Sequence, residues 1–123
     1  MSESAFVNFS NHPSARWSKE QRAAAEAIGP VADVPFPTVP ADMDEKGVAL
    51  LADEAVRRIM EKRPAAVLCQ GEFTLAFAVT ERLKAKGVTV LAASSDRITE
   101  LETGEDGETR KVSVFRFVRF RAY

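Results

Sequence analysis

Three short polar clusters hold the side chains of this 123-residue chain that could bind or react. The first, "SNHPSAR", joins the chain's one histidine, His12, to Ser10, Asn11, Ser14 and Arg16. His12 can exchange a proton near neutral pH, the short hydroxyls and the amide add hydrogen bonds, and Arg16 offers a charge to a phosphate or caps a loop in solvent. The second, "QGEFT", runs from Gln70 through Gly71, Glu72, Phe73 and Thr74, where an apolar stretch gives way to a helical one. Free N–H groups and the positive end of a helix dipole at such a junction suit an anion, with Thr74 as a hydroxyl donor and Phe73 as a ring for a base. The same residues also have a plainer reading. Gly71 would then make a tight turn and Phe73 would be core, while Glu72 repels a phosphate unless it points away or holds ribose hydroxyls. The third cluster, "SSDR", reads as the loop after the fourth strand, which would bring Ser94, Ser95, Asp96 and Arg97 to the same edge of the sheet and complete the site.

Several chemistries are poorly served. There is no cysteine pair, no HExxH and no second histidine, so no strong metal site is expected, and Asp42, Asp44 and Glu45 read as carboxylates complementing a helix start. No GxSxG elbow supports serine-hydrolase chemistry. What remains is a site without metal or cofactor. The net charge of -1 gives no general attraction to nucleic acid or an acidic membrane, so an anion must be held locally. Cys69, the sole cysteine, lies among apolar neighbours, as a buried and inert thiol in a reducing compartment would. With no basic-then-apolar leader and no apolar run near the roughly 20 residues of a membrane span, a cytoplasmic location is expected.

The elements that must position these clusters follow from periodicity. Residues 5–9 read as a strand, and Ser18 with Gln21 has capping-box spacing at the start of a helix that Gly29 and Pro30 end. "VADVPF" is a brief second strand, after which Pro35, Pro37 and Pro40 force an extended connection. Val48, Leu51, Ala52, Ala55 and Ile59 then mark a helix from Asp44 that ends by Pro64. "AAVLC" lacks alternation, as a central parallel strand covered on both faces would. A helix from Glu72 to Gly87 and a strand "VTVLAA" follow, and about residues 96–121 read as a hairpin turning at "GEDG".

This order predicts a single α/β domain over residues 1–123, a Rossmann-like three-layer sandwich with a mostly parallel sheet and a C-terminal β-hairpin. The expected strand order is 2-1-3-4. The chain then reverses direction between strands one and three, and the loops after those strands line the crevice where ligands bind. The tail "RKVSVFRFVRFRAY" interleaves Arg110, Lys111, Arg116, Arg119 and Arg121 with Phe115, Phe117 and Phe120. It reads either as a grip for single-stranded nucleic acid, or as a protected edge strand or dimer surface.

Together "NFSNHPS…W", "VPFP" and "QGEFTL" resemble the small CRISPR-associated proteins with a CARF-like Rossmann fold that bind or degrade cyclic oligoadenylates. The resemblance covers most of residues 5 to 100. It implies a homodimer whose ligand, most simply cyclic tetra-adenylate, contacts Ser10 through Ser14 and Gln70 through Thr74; Ser94, Ser95 and Arg97 are expected beside them from their place at the sheet edge. It also implies a ring nuclease that silences type III antiviral signalling through metal-independent 2′-OH attack. In that picture His12 transfers the proton, Arg16, Thr74 and the Gly71 backbone steady the phosphate, and Asn11, Gln70 and Glu72 touch ribose or base. Two alternatives stand beside it: a binding-only sensor or sink, and a small α/β interaction module that uses its basic aromatic tail. No membrane and no long nucleic acid partner is expected.

Overall fold

The computed structural model describes residues 4–123. In chain order the elements are β1 (Ala5–Ser10), a 3-10 turn (Ser14–Arg16), α1 (Lys19–Glu26), β2 (Val31–Asp33), α2 (Glu45–Glu61), β3 (Pro64–Gln70), α3 (Phe73–Ala85), β4 (Val90–Thr103) and β5 (Thr109–Ala122). They form one sheet in the order β2-β1-β3-β4-β5, with β5 antiparallel to β4 and the other pairs parallel. The expected α/β sandwich with its 2-1-3-4 core and closing hairpin is therefore the fold.

Local chemistry explains the helix starts. Ser18 Oγ accepts the Gln21 N–H at 3.2 Å and Asp44 Oδ1 accepts the Gly47 N–H at 2.9 Å, each satisfying a donor that the first turn leaves open. The first helix stops at Glu26, before the glycine and proline, because the Ile28 and Gly29 N–H groups both fold back onto Ala25 O. β2 ends at Asp33 rather than Phe36, since Pro35 offers no N–H to a ladder.

The unalternating strands are covered on both faces, as their composition required. On one face Val7, Phe9, Val67 and Cys69 pack against α2 and α3 through Ala52, Ile59, Leu75 and Val79. On the other, Phe6, Ala66, Leu68 and Leu91 pack against Ala25 of α1, with Trp17 and Phe120 closing the layer. Burial pushes the Cys69 thiol up to about 11, against the smaller opposing effect of Thr80, so this side chain is a core residue rather than a nucleophile.

The fourth strand departs from expectation. "SSDR" is no loop, because β4 runs unbroken from Val90 to Thr103, and the hairpin therefore spans residues 90–122 rather than 96–121. Only Val90 and Leu91 pair with β3; beyond them β5 supplies the whole ladder. The outer halves of β4 and β5 thus leave the sheet as a two-stranded arm, turning where Gly107 takes φ 82°. At the departure point the Ala93 N–H, which β3 does not pair, donates to Gln70 Oε1 at 3.1 Å.

A β-bulge sets which way the arm's side chains point. Ser94 pairs with Arg119 and Ser95 with Phe117, leaving Val118 as an extra residue in β5. Because side chains alternate along a strand, the extra residue places Phe115, Phe117 and Phe120 on the face of Ala93, Ser95 and Arg97. Arg116, Arg119 and Arg121 share the opposite face, with Asp96, Ser94 and Ala92.

Candidate ligand-binding cleft

The ends of β1 and β3 lie side by side, with Ser10 in register with Gln70, at the reversal between the two halves of the sheet. On the α1 side of that edge opens a cleft of about 780 Å³. Its floor carries Ser10, Leu68, Gln70 and Ala93, and the loop after β1 adds His12 and Arg16. Trp17, Ser18, Glu20 and Gln21 form the wall at the start of α1, and the arm contributes Ser95, Phe115 and Phe117 from one of its faces and Glu100, Val114 and Arg116 from the other.

A buried polar network holds the histidine loop. Asn8 sits in the middle of the apolar strand β1 with 2% exposure. Its Nδ2 donates to His12 O at 2.8 Å and to Asp33 Oδ1 at 3.1 Å, while its Oδ1 accepts the Ser10 hydroxyl at 2.6 Å. The His12 N–H donates back to Ser10 Oγ at 3.2 Å. Asp33, at the end of β2, accepts from Ser14 through both its N–H and its hydroxyl. The loop is therefore fixed by backbone and short side chains, and the His12 imidazole is left exposed at the cleft.

The aromatic wall continues the core. Phe6 meets Trp17 edge-on at 6.0 Å and Phe120 at 4.9 Å, and Phe120 meets Phe117 at 4.9 Å. Rings thus run from the interior to the cleft, where Phe115 stands 75% exposed. Arg116 lies 3.7 Å from Glu100, whereas no carboxylate pairs with Arg16 among the described residues. Glu20 and Glu100 add acidic groups to the lining, Glu100 already beside Arg116, so a phosphate in this cleft is best received beside Arg16 and His12.

Of the residues singled out by sequence, Ser10, His12, Arg16, Gln70 and Ser95 meet around this cleft. The others do not line it. Ser14 serves the Asp33 network, Asn11 is exposed on the loop, Ser94 accepts from Arg121 on the far face of the arm, and Arg97 lies further out on β4. The "QGEFT" junction differs most from a phosphate cradle. The Glu72 carboxylate accepts the N–H groups of Thr74 and Leu75, at 3.0 and 2.9 Å, and the Thr74 hydroxyl at 2.7 Å, so the start of α3 is capped by its own side chain. Thr74 lines a separate groove between α2 and α3, and Phe73, 89% exposed, is neither core nor cleft. Over Gly71 sits the Phe36 ring, tilted 35° against Phe9 with centroids 4.7 Å apart; a Cβ at Gly71 would come within 2.6 Å of it.

Two predictions follow from this junction. The Thr74 hydroxyl first, then the Leu75 and Thr74 N–H groups, hold the Glu72 carboxyl below its ordinary value of 4.5. A depressed carboxyl stabilises the fold above its unfolded pKa and loses that contribution on acidification. The melting-temperature gap between wild type and Glu72→Gln is expected to be present at pH 7 and to close below about pH 4. Likewise Gly71→Ala is expected to cost about 1–3 kcal/mol by displacing Phe36. Denaturant unfolding should show most of that loss recovered in Gly71→Ala/Phe36→Leu, which shortens the obstructing ring.

Sequence reasoning missed Asn8, Trp17 as a wall, and the cleft-facing role of Phe115 and Phe117. A lone amide inside "AFVNF" was the available signal for the first. Among the described residues no group of three His, Cys, Asp or Glu side chains converges as metal ligands would, and no helix is long and apolar enough to cross a membrane.

A doubly wound α/β domain with an aromatic and basic cleft at its switch point is the class that fold and site define. The chain belongs to the family described as "Uncharacterized protein MJ1673 family", whose model matches residues 4–121. Among curated proteins and among solved structures, nothing matches the chain.

Proposed function

We propose that the cleft binds a cyclic oligoadenylate and that the protein opens the ring, acting as a ring nuclease that ends type III CRISPR antiviral signalling from the cytoplasm. One observation carries this reading: an exposed imidazole and a guanidinium line the same cleft as the rings of Phe115 and Phe117, at the sheet's reversal point. Phosphate and base would thereby be served within one cleft. The ribose 2′-OH would attack its own 3′-phosphate, the 5′-oxygen of the next nucleotide would leave, and the products would be a 2′,3′-cyclic phosphate and a 5′-OH. His12 would move the proton, and Arg16 would face the charge that develops. A second copy of the chain would present the same loops to the other half of a symmetric ring.

Incubation with cyclic tetra-adenylate in EDTA, followed by chromatography, tests the proposal. Linear products ending in a 2′,3′-cyclic phosphate are expected, and an intact ring removes the enzyme. A binding-only sensor or sink is favoured by one feature: Glu72 occupies the helix start that would otherwise have stabilised a phosphate. That version predicts a raised melting temperature with the ring and no turnover.

A further inference from the structure

The arm's two faces differ in a way that reaches beyond the cleft. The cross-strand register puts Ser95 opposite Phe117, Arg97 opposite Phe115, Thr99 opposite Ser113, and Leu101 opposite Lys111. That face carries rings, hydroxyls and two cations, with no carboxylate from Ala93 to Thr103 or from Thr109 to Phe120. All the acids of these two strands, Asp96, Glu100 and Glu102, lie on the other face in register, opposite Arg116, Val112 and Arg110; Glu100, 3.7 Å from Arg116, is the one of them that also lines the cleft. The sorting depends on the extra residue at Val118; without it Phe120 would fall out of line with Phe115 and Phe117.

We infer that the carboxylate-free face of the β4–β5 arm is a stacking platform for single-stranded nucleic acid, running outward from the cleft. An exposed strand face with aromatic rings two residues apart receives unstacked bases, and cations beside the rings take the phosphates. Phe115 has the exposure this needs, and Leu101 beyond it is 72% exposed. From Ser95 to Thr103 the face is about 30 Å long, enough for a run of several nucleotides. Charge complementarity selects this occupant over a second copy of the same face, which would set Arg97 and Lys111 against their own equivalents. The inference stands apart from the proposed ring cleavage, though Phe115 and Phe117 belong to both surfaces.

The test is fluorescence anisotropy with a labelled ten-nucleotide oligoadenylate RNA, alone and as a duplex, at 50 to 200 mM salt. Wild type is expected to prefer the single strand. Phe115→Ala should weaken it about 5- to 150-fold, and Arg97→Gln/Lys111→Gln should reduce the log–log salt slope by about 1.4. Arg119→Gln/Arg121→Gln, removing the same charge from the opposite face, should change binding little. Unaltered melting temperatures verify that the exposed substitutions leave the fold intact. Equal affinity for strand and duplex, or an unaffected Phe115→Ala, overturns the platform. So does a ring-induced rise in melting temperature without strand binding, which leaves the proposed function standing; absence of both binding signals defeats both. A Phe115→Ala change in oligomeric state by light scattering, with no strand bound, would assign the face to a second copy instead.

Discussion

His12→Ala is expected to slow ring opening of cyclic tetra-adenylate about 10²- to 10⁴-fold with little change in its Kd. The separation of rate from affinity follows from how the loop is built. Its shape is held by the His12 backbone, which donates to Ser10 Oγ and accepts from Asn8 Nδ2, and not by the imidazole. Removing the ring should therefore leave Arg16 and the aromatic wall in place while deleting the proton-transfer group. Single-turnover rates and equilibrium binding on the same preparation check the claim. An unchanged rate would eliminate His12 as acid or base; a lost affinity with unchanged rate would make it a contact residue.

Asn8→Ala should have the largest effect on stability of any single polar substitution. Alanine deletes both donations from Nδ2 and the acceptor for the Ser10 hydroxyl. Each buried polar group left unpaired costs about 1–3 kcal/mol. Ser10 Oγ also lies 3.2 Å from His12 O and can turn toward it, which limits the damage. A net loss near 3 kcal/mol would lower the melting temperature by about 10 °C. Asn8→Asp is a useful contrast, because it sets a second carboxylate beside Asp33. Its destabilisation should ease as pH falls and one of the pair takes a proton. Chemical denaturation from pH 4 to 8 would show that slope, and a flat profile would mean that Asn8 and Asp33 are not in contact.

The parallel core was readable in the chain because burial on two faces leaves a direct mark. "AAVLC" has no polar positions to alternate, and Ser18 and Asp44 each announce a helix with a cap that the structure uses. The switch-point argument then located the crevice, and His12, Arg16, Ser10 and Gln70 lie on it. The failures concern side-chain direction. Nothing in "QGEFT" says whether Glu72 turns outward or back onto its own helix, since a carboxylate near free N–H groups caps them whenever its rotamer reaches. Phe36 lies far from Gly71 in sequence, so the ring over that glycine is a tertiary fact. The "SSDR" error has a similar origin. Ser and Asp usually signal a loop, but here they are carried as an exposed continuation of β4 whose hydrogen bonds come from β5 alone.

Val118 gives the chain an unusual sensitivity to length. Exchanging its side chain should matter little, since it is 52% exposed, whereas deleting it would rotate everything from Arg119 onward by half a strand repeat, driving guanidinium groups toward Phe6 and turning Phe120 out into water. When sequences related to this one are aligned, a single gap at that position would thus speak to altered recognition more loudly than many substitutions nearby.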